Sequence, residues 1–260
     1  MLRPRIIPCL LVHNNGLVKT VNFKSPKYVG DPINAVKIFN EKESDELIVL
    51  DIDATANNVE PNYKMIKLLA AECRMPLCYG GGVRTAAQAK KIIGLGVEKV
   101  AISAAAVETP QLVTQISDEI GRQSVVVVLD SKKRLLGKDY DIYTHNGMKN
   151  SKRSLFEMVL QVEELGAGEI VINSIDNDGQ MKGYDLDLAR RVKGMAHIPV
   201  TILGGAGSLK DIGELVRTCG IIGAAAGSLF VFKGVYRAVL INYPKPAEKD
   251  DLIRANCALQ

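Results

Sequence analysis

The chain has 260 residues, 47% of them hydrophobic and 24% charged, the balance of a globular protein able to bury a sizeable core. A formal net charge of only +4, with both signs interspersed, argues against a nucleic-acid partner or a membrane surface. No apolar run could span a bilayer, the five cysteines form no CxxC pair and the three histidines show no metal-ligand spacing. A cytoplasmic protein without metal or cofactor is therefore expected.

Residues 6–12 form a continuous apolar run suited to a buried parallel strand. A polar loop is expected over 13–32, with His13 a solvated loop residue. A helix then runs from Pro32, a position where helices accept proline, to about residue 40. Residues 47–53 read as a second strand ending in carboxylates, followed by a helix over 63–74. The third strand runs into Gly80-Gly81-Gly82, and Thr85 opens a helix to residue 95. Residues 99–103 make the fourth strand and 110–120 a helix. The fifth strand, 124–130, ends in Asp130. A polar loop over 131–151 precedes a helix over 153–165, and 169–174 is the sixth strand. The loop 175–184 carries Asp176, Asp178 and Gly179 and leads to a helix over 185–194. The seventh strand, PVTILGG, leads to a helix over 208–218 capped by Ser208. The eighth strand is 221–226. A helical turn begins at Gly227-Ser228, a last helix is expected near 234–242, and the polar tail from Pro244 is expected to fray.

Eight strands alternate with helices and no linker interrupts them, so 1–260 reads as a single domain. An open doubly wound sheet and a closed (β/α)8 barrel both accept this alternation. The length, and the clustering of glycine and polar residues after strands rather than after helices, favour the barrel, whose active sites lie at that face. The two halves echo one another. GGG at 80–82 and GGAG at 204–207 lie half a chain apart, as do ISAAA at 102–106 and AAAGS at 224–228. Strand, glycine turn and helix start together suit a phosphate, because glycine admits close backbone approach and helix-start N–H groups face the anion. A tight β-to-α turn also wants glycine with no ligand present. Two such turns at opposite sides of one barrel mouth would hold a small molecule phosphorylated at each end.

Several segments together resemble the cyclase subunit of imidazole glycerol phosphate synthase over nearly the whole chain. They are RIIPCL at 5–10, DELIVLDI at 45–52, VETPQLVTQI at 107–116, GAGEI at 166–170 and SIDNDGQMKGYD at 174–185. The resemblance implies a glutaminase partner docked at the bottom of the barrel. Ammonia would cross the interior to a bisphosphorylated substrate at the top, where two carboxyl groups act as acid and base. Asp130 matches one of those carboxyl groups. Substrate contacts would fall to Lys19, Gly81, Gly82, Ser103, Asp178, Gly179, Gly204, Gly205, Gly227 and Ser228. Four charged residues that ring the floor as an ammonia gate match Arg5, Glu46, Lys99 and Glu169; a plain structural ion-pair ring is the competing reading.

The chain departs from the family pattern at the first strand, where the second catalytic acid should stand. Leu11 occupies that position, and leucine moves no proton. Ser103-Ala104 and Leu203 also replace the residues usual at the mouth. Three functions follow. The chain is a histidine-pathway cyclase, a paralogue that delivers ammonia for sugar amidation by a separate amidotransferase in surface-polysaccharide synthesis, or a non-catalytic scaffold for the glutaminase. An intact gate with a missing acid favours the second.

Overall fold

The computed structural model describes residues 3–234 and 236–257. Eight parallel strands close into a barrel: β1 Arg5–His13, β2 Leu47–Asp51, β3 Leu77–Gly80, β4 Lys99–Ile102, β5 Val125–Lys133, β6 Glu169–Ser174, β7 Val200–Leu203 and β8 Gly223–Ala226. Each pairs with its successor, and β8 returns to β1 with Arg5 beside Gly223 and Pro8 beside Ala226. This is the expected (β/α)8 architecture.

Strand alternation separates two apolar layers. Ile7, Cys9, Ile48, Cys78, Ala101, Val126, Val128, Val171, Leu203 and Ala225 fill the interior, with Leu11 and Leu50 packed at its upper edge. The opposite faces meet the surrounding helices in a larger layer that includes Ile6, Leu10, Val49, Val127 and Ile172. Five of the amphipathic helices are anchored at their start by a side chain. Asp31, Asn62, Thr85, Asp185 and Ser208 each accept a hydrogen bond from a first-turn backbone N–H, which satisfies donors that helix ends otherwise leave free.

Four expectations need correction. The polar stretch 13–32 contains a hairpin, Gly16–Val21 and Lys24–Gly30, whose first strand pairs antiparallel with β1. The stretch 131–151 likewise contributes Tyr140–Thr144, which pairs with the extended end of β5 and is followed by Lys149–Ser154. The outer strand of each hairpin, Lys24–Gly30 or Lys149–Ser154, stands largely in water and carries no apolar run, while the inner strands Gly16–Val21 and Tyr140–Thr144 are mostly buried. Among the described residues of 234–242 there is no helix: Phe232–Lys233 pairs antiparallel with Ala238–Val239, and residue 235 lies outside the described residues. The tail does not fray at Pro244. Pro246–Cys257 is a helix packed on the helix Leu209–Cys219, with Arg217 donating to Asn256 at 2.7 Å.

No described helix is long and apolar enough to cross a membrane. Phe39 is fully buried in the outer layer and stacks edge-on against Tyr243. Phe39→Ala should cost about 3–5 kcal/mol of stability, read as a lowered denaturant midpoint.

Candidate functional site

The carboxyl ends of the strands open into one cavity of about 990 Å³. Every predicted mouth residue lines it: Asp130 and Ser103, the glycine pairs Gly81-Gly82 and Gly204-Gly205, Gly227-Ser228, Lys19, and Asp178-Gly179. Leu11, Leu50 and Leu203 line it too, so the apolar interior rises directly into the mouth.

The glycine turns are shaped by packing as well as by any ligand. Gly81, Gly82, Gly204 and Gly205 all have positive φ. A Cβ would come within 2.5 Å of the Asp51 carbonyl at Gly81 and within 2.1 Å of the Gly183 carbonyl at Gly205. The helix start beyond the second turn does not offer the free N–H groups expected of it. Gly207 and Ser208 both donate to Asp211 Oδ2 at 2.8 Å, completing a capping box. The uncapped helical turns lie elsewhere. The short helices Ala104–Glu108 and Ser228–Val231 begin at Ser103 and Gly227 with no side-chain hydrogen bond to their first amides. Those two turns follow β4 and β8, half a barrel apart, and leave backbone donors at the mouth.

A buried cation stands at the second of them. Lys19 is carried by the first hairpin rather than by a loop, is 6% exposed, and donates to the Cys9 carbonyl at 2.5 Å. A Cβ at Gly227 would lie 2.5 Å from its Nζ, so the missing side chain makes room for the ammonium. Burial lowers the Lys19 pKa, against the pull of Asp178. Asp178 is tied in turn to the hairpin by Thr20 Oγ1 at 2.7 Å and the Phe23 N–H at 3.0 Å.

Asp130 stands on β5, with Oδ1 accepting from Asn173 Nδ2 at 2.9 Å. Burial raises its pKa to about 7, opposed by the Asn173 hydrogen bond. A carboxyl balanced between its two forms near neutral pH suits general acid or base chemistry. The register places Leu11 beside Leu50 on β2, and no carboxylate takes its place on the inward face of β1. The next inward residue along β1 is His13, which sequence reasoning left as a solvated loop residue. It ends the strand, with Nδ1 2.7 Å from Asp53 Oδ1, while Asp53 Oδ2 accepts from the Asn14 N–H at 2.7 Å. Asn173, Asp53 and the Asn146 amide, which donates to the Ile52 carbonyl at 2.8 Å, are cavity-lining residues that the sequence reading missed. The available signals were the inward position of Asn173 on a recognised strand and the place of Asp53 among the carboxylates that end the 47–53 run; Asn146 sits where only folding brings it.

At the opposite end, the four predicted charges form a closed ring. Arg5 bonds Glu46, and reaches Glu169 Oε1 at 2.7 Å. Lys99 Nζ donates to Glu46 at 2.7 Å and to Glu169 at 2.8 Å. Thr201 Oγ1 adds a 2.6 Å bond to Glu169. Burial works to raise the Glu169 pKa, and Lys99 and Arg5 overcome it, leaving the carboxylate below its usual range. Burial would lower the Lys99 pKa, and Glu169 and Glu46 reverse that. Opposite charges thus alternate around the ring, each side chain meeting both of its neighbours.

The fold and site define a (β/α)8 barrel with glycine turns at its mouth, in both halves of the chain, and a charged ring at its floor. The family described as histidine biosynthesis protein matches residues 5–237. Over 249 residues the chain is 59% identical to a Vibrio vulnificus protein provisionally named imidazole glycerol phosphate synthase subunit hisF3, covering 96% of each. It is 54% identical over 245 residues to the similarly named hisF2 of Pseudomonas aeruginosa, covering 94% of this chain and 97% of that one. It is also 39% identical over 230 residues to the imidazole glycerol phosphate synthase subunit HisF of Lactococcus lactis strain IL1403, covering 88% and 89%. The chain belongs to the histidine biosynthesis family and, within it, to the imidazole glycerol phosphate synthase cyclase subunits.

The raised Asp130 pKa has a consequence for stability. The folded state holds a proton that the unfolded carboxyl has already lost, so the contribution of Asp130 to stability falls as pH rises from about 4 to about 7. Asp130→Asn should raise the melting temperature most above pH 7, with a gain that shrinks to nothing below pH 4, measured by calorimetry across that range.

Proposed function

We propose that the chain is the barrel subunit of a glutamine-dependent complex, passing ammonia from a glutaminase partner through the barrel to an acceptor other than the histidine-pathway substrate. The observation that carries the reading is the mismatch between the two ends of the barrel. Arg5, Glu46, Lys99 and Glu169 make a complete floor ring, while Leu11 leaves Asp130 without its opposing acid. Ammonia is small and neutral, so an apolar interior such as that lined by Ile7, Cys78, Val126 and Val171 lets it pass while excluding its charged form. Sugar amidation by a separate amidotransferase is the acceptor chemistry this reading assigns. A phosphorylated ligand at the two uncapped turns and Lys19 is retained in it.

The second reading, a working cyclase in histidine synthesis, draws support from the relatives named as synthase subunits and from Asp130 itself. One residue separates the two. Losing one member of an acid/base pair removes about 10²–10⁴ in rate. The purified chain supplied with ammonia should therefore turn over the histidine-pathway substrate very slowly, and Leu11→Asp should raise that rate roughly 10²-fold. Rapid wild-type turnover would overturn the ammonia-delivery reading.

The floor ring has its own test in the complex with the glutaminase. Lys99→Ala should leave the barrel folded and uncouple glutamine hydrolysis from delivery of ammonia to the product. Unchanged coupling would leave the ring a structural ion-pair cluster, without a role in passage.

A further inference from the structure

The Arg5–Glu46 edge of the ring lacks a backbone ladder beneath it. Pairing between β1 and β2 runs from Val12 and Asp51 down to Cys9 and Ile48 and stops there. Pro8 has no N–H to offer. Continuing the register brings Ile6 opposite Asp45, and at that level side chains replace the ladder. Asp45 Oδ2 accepts from the Ile6 N–H at 2.9 Å. The Tyr243 hydroxyl donates to the Ile6 carbonyl at 2.8 Å and lies 3.2 Å from the Asp45 N–H, which donates to it. Lys249 Nζ donates to Asp45 Oδ1 at 2.6 Å and to the Glu43 carbonyl at 3.2 Å, and Arg3 reaches the same carboxylate oxygen at 3.3 Å.

These groups are buried: the Lys249 and Asp45 side chains are 6% and 7% exposed. Tyr243 is wedged between Phe39 and Phe230, so its hydroxyl has little freedom to go elsewhere. Ile6 and Asp45 are the chain neighbours of Arg5 and Glu46. Strand alternation turns one member of each pair inward to the ring and the other outward to the clamp. Tyr243 and Lys249 lie beyond residue 237, where the family match ends.

We infer that the C-terminal segment is a positioning element for the floor ring. Tyr243 and Lys249 hold Asp45 against Ile6, and that contact sets the separation at which Arg5 meets Glu46. The inference concerns the ring's geometry and deepens the ammonia-passage reading without depending on it.

The test uses the purified full chain, with Tyr243→Phe, which keeps the aromatic wedge, and Lys249→Met, which keeps most of the buried volume. Amide exchange at Ile6 and the NMR signal of the Arg5 guanidinium are followed in variants whose circular dichroism matches the wild type. Ile6 exchange should rise roughly tenfold in each, the effect of losing about 1.4 kcal/mol of hydrogen bonding at a local opening. The Arg5 signal should broaden or shift as its pairing loosens. Faster Ile6 exchange with an unchanged Arg5 signal would reduce the clamp to a strand fastener and overturn the inference, as would no change at Ile6. If Lys249→Met fails to fold, Tyr243→Phe decides alone. A loosened ring in Tyr243→Phe with glutamine coupling intact in the complex would count against the ring as a gate and leave its positioning by the C-terminal segment standing.

Discussion

Every second residue of a closed eight-stranded barrel has only the interior to point into. That constraint organises the molecule more than any single contact. Nothing charged is tolerated along the interior unless it is neutralised on the spot, because unpaired ions in such surroundings cost several kcal/mol each. Glu46 and Glu169 are 3% and 4% exposed, and each meets both Arg5 and Lys99. Two anions and two cations close a ring at the floor, and apolar residues fill the levels above it.

The same alternation explains the character of the mouth. The inward positions of β1 read Arg5, Ile7, Cys9, Leu11 and His13, so a substitution at one of them alters the cavity without disturbing the outer layer. Leu11 joins Leu50 and Leu203 to carry the apolar lining upward, while Asp130 and Asn173 keep a polar patch on the far wall. In the proposed reading, the barrel is complete where ammonia would enter and lacks the strand-one acid that cyclisation would need. This asymmetry underlies the choice of an ammonia-delivering role over cyclisation.

The proposed anion binding depends on which backbone amides remain free after folding has used the rest. The glycine turns beside Gly81 and Gly204 bring the chain close to Asp51 and Gly183, and the helices after them are already capped by Thr85 and Ser208. The short turns at Ser103 and Gly227 are left with uncapped amides, and Lys19 brings its ammonium to the second of these. Its low exposure sharpens the electrostatic effect, since a charge in poorly solvated surroundings acts over a longer reach than one in water.

Hydrophobic periodicity and turn chemistry by themselves determined the eight barrel strands, most of the helices and the half-barrel echo, because each of those signals is local. The glycine turns were legible for the same reason, each following a recognisable strand, whereas Asp130 and the four floor charges were singled out by their match to the family pattern. The two mouth hairpins were not, since strands such as Lys149–Ser154 stand largely in water and carry no apolar run. The C-terminal helix was missed because its interactions, Lys249 with Asp45 and Asn256 with Arg217, join residues far apart in the chain. Only the tertiary structure decided that His13 meets Asp53 and that Tyr243 ties the first two strands together. Pairings of that kind depend on distance in space, and sequence order carries no record of it.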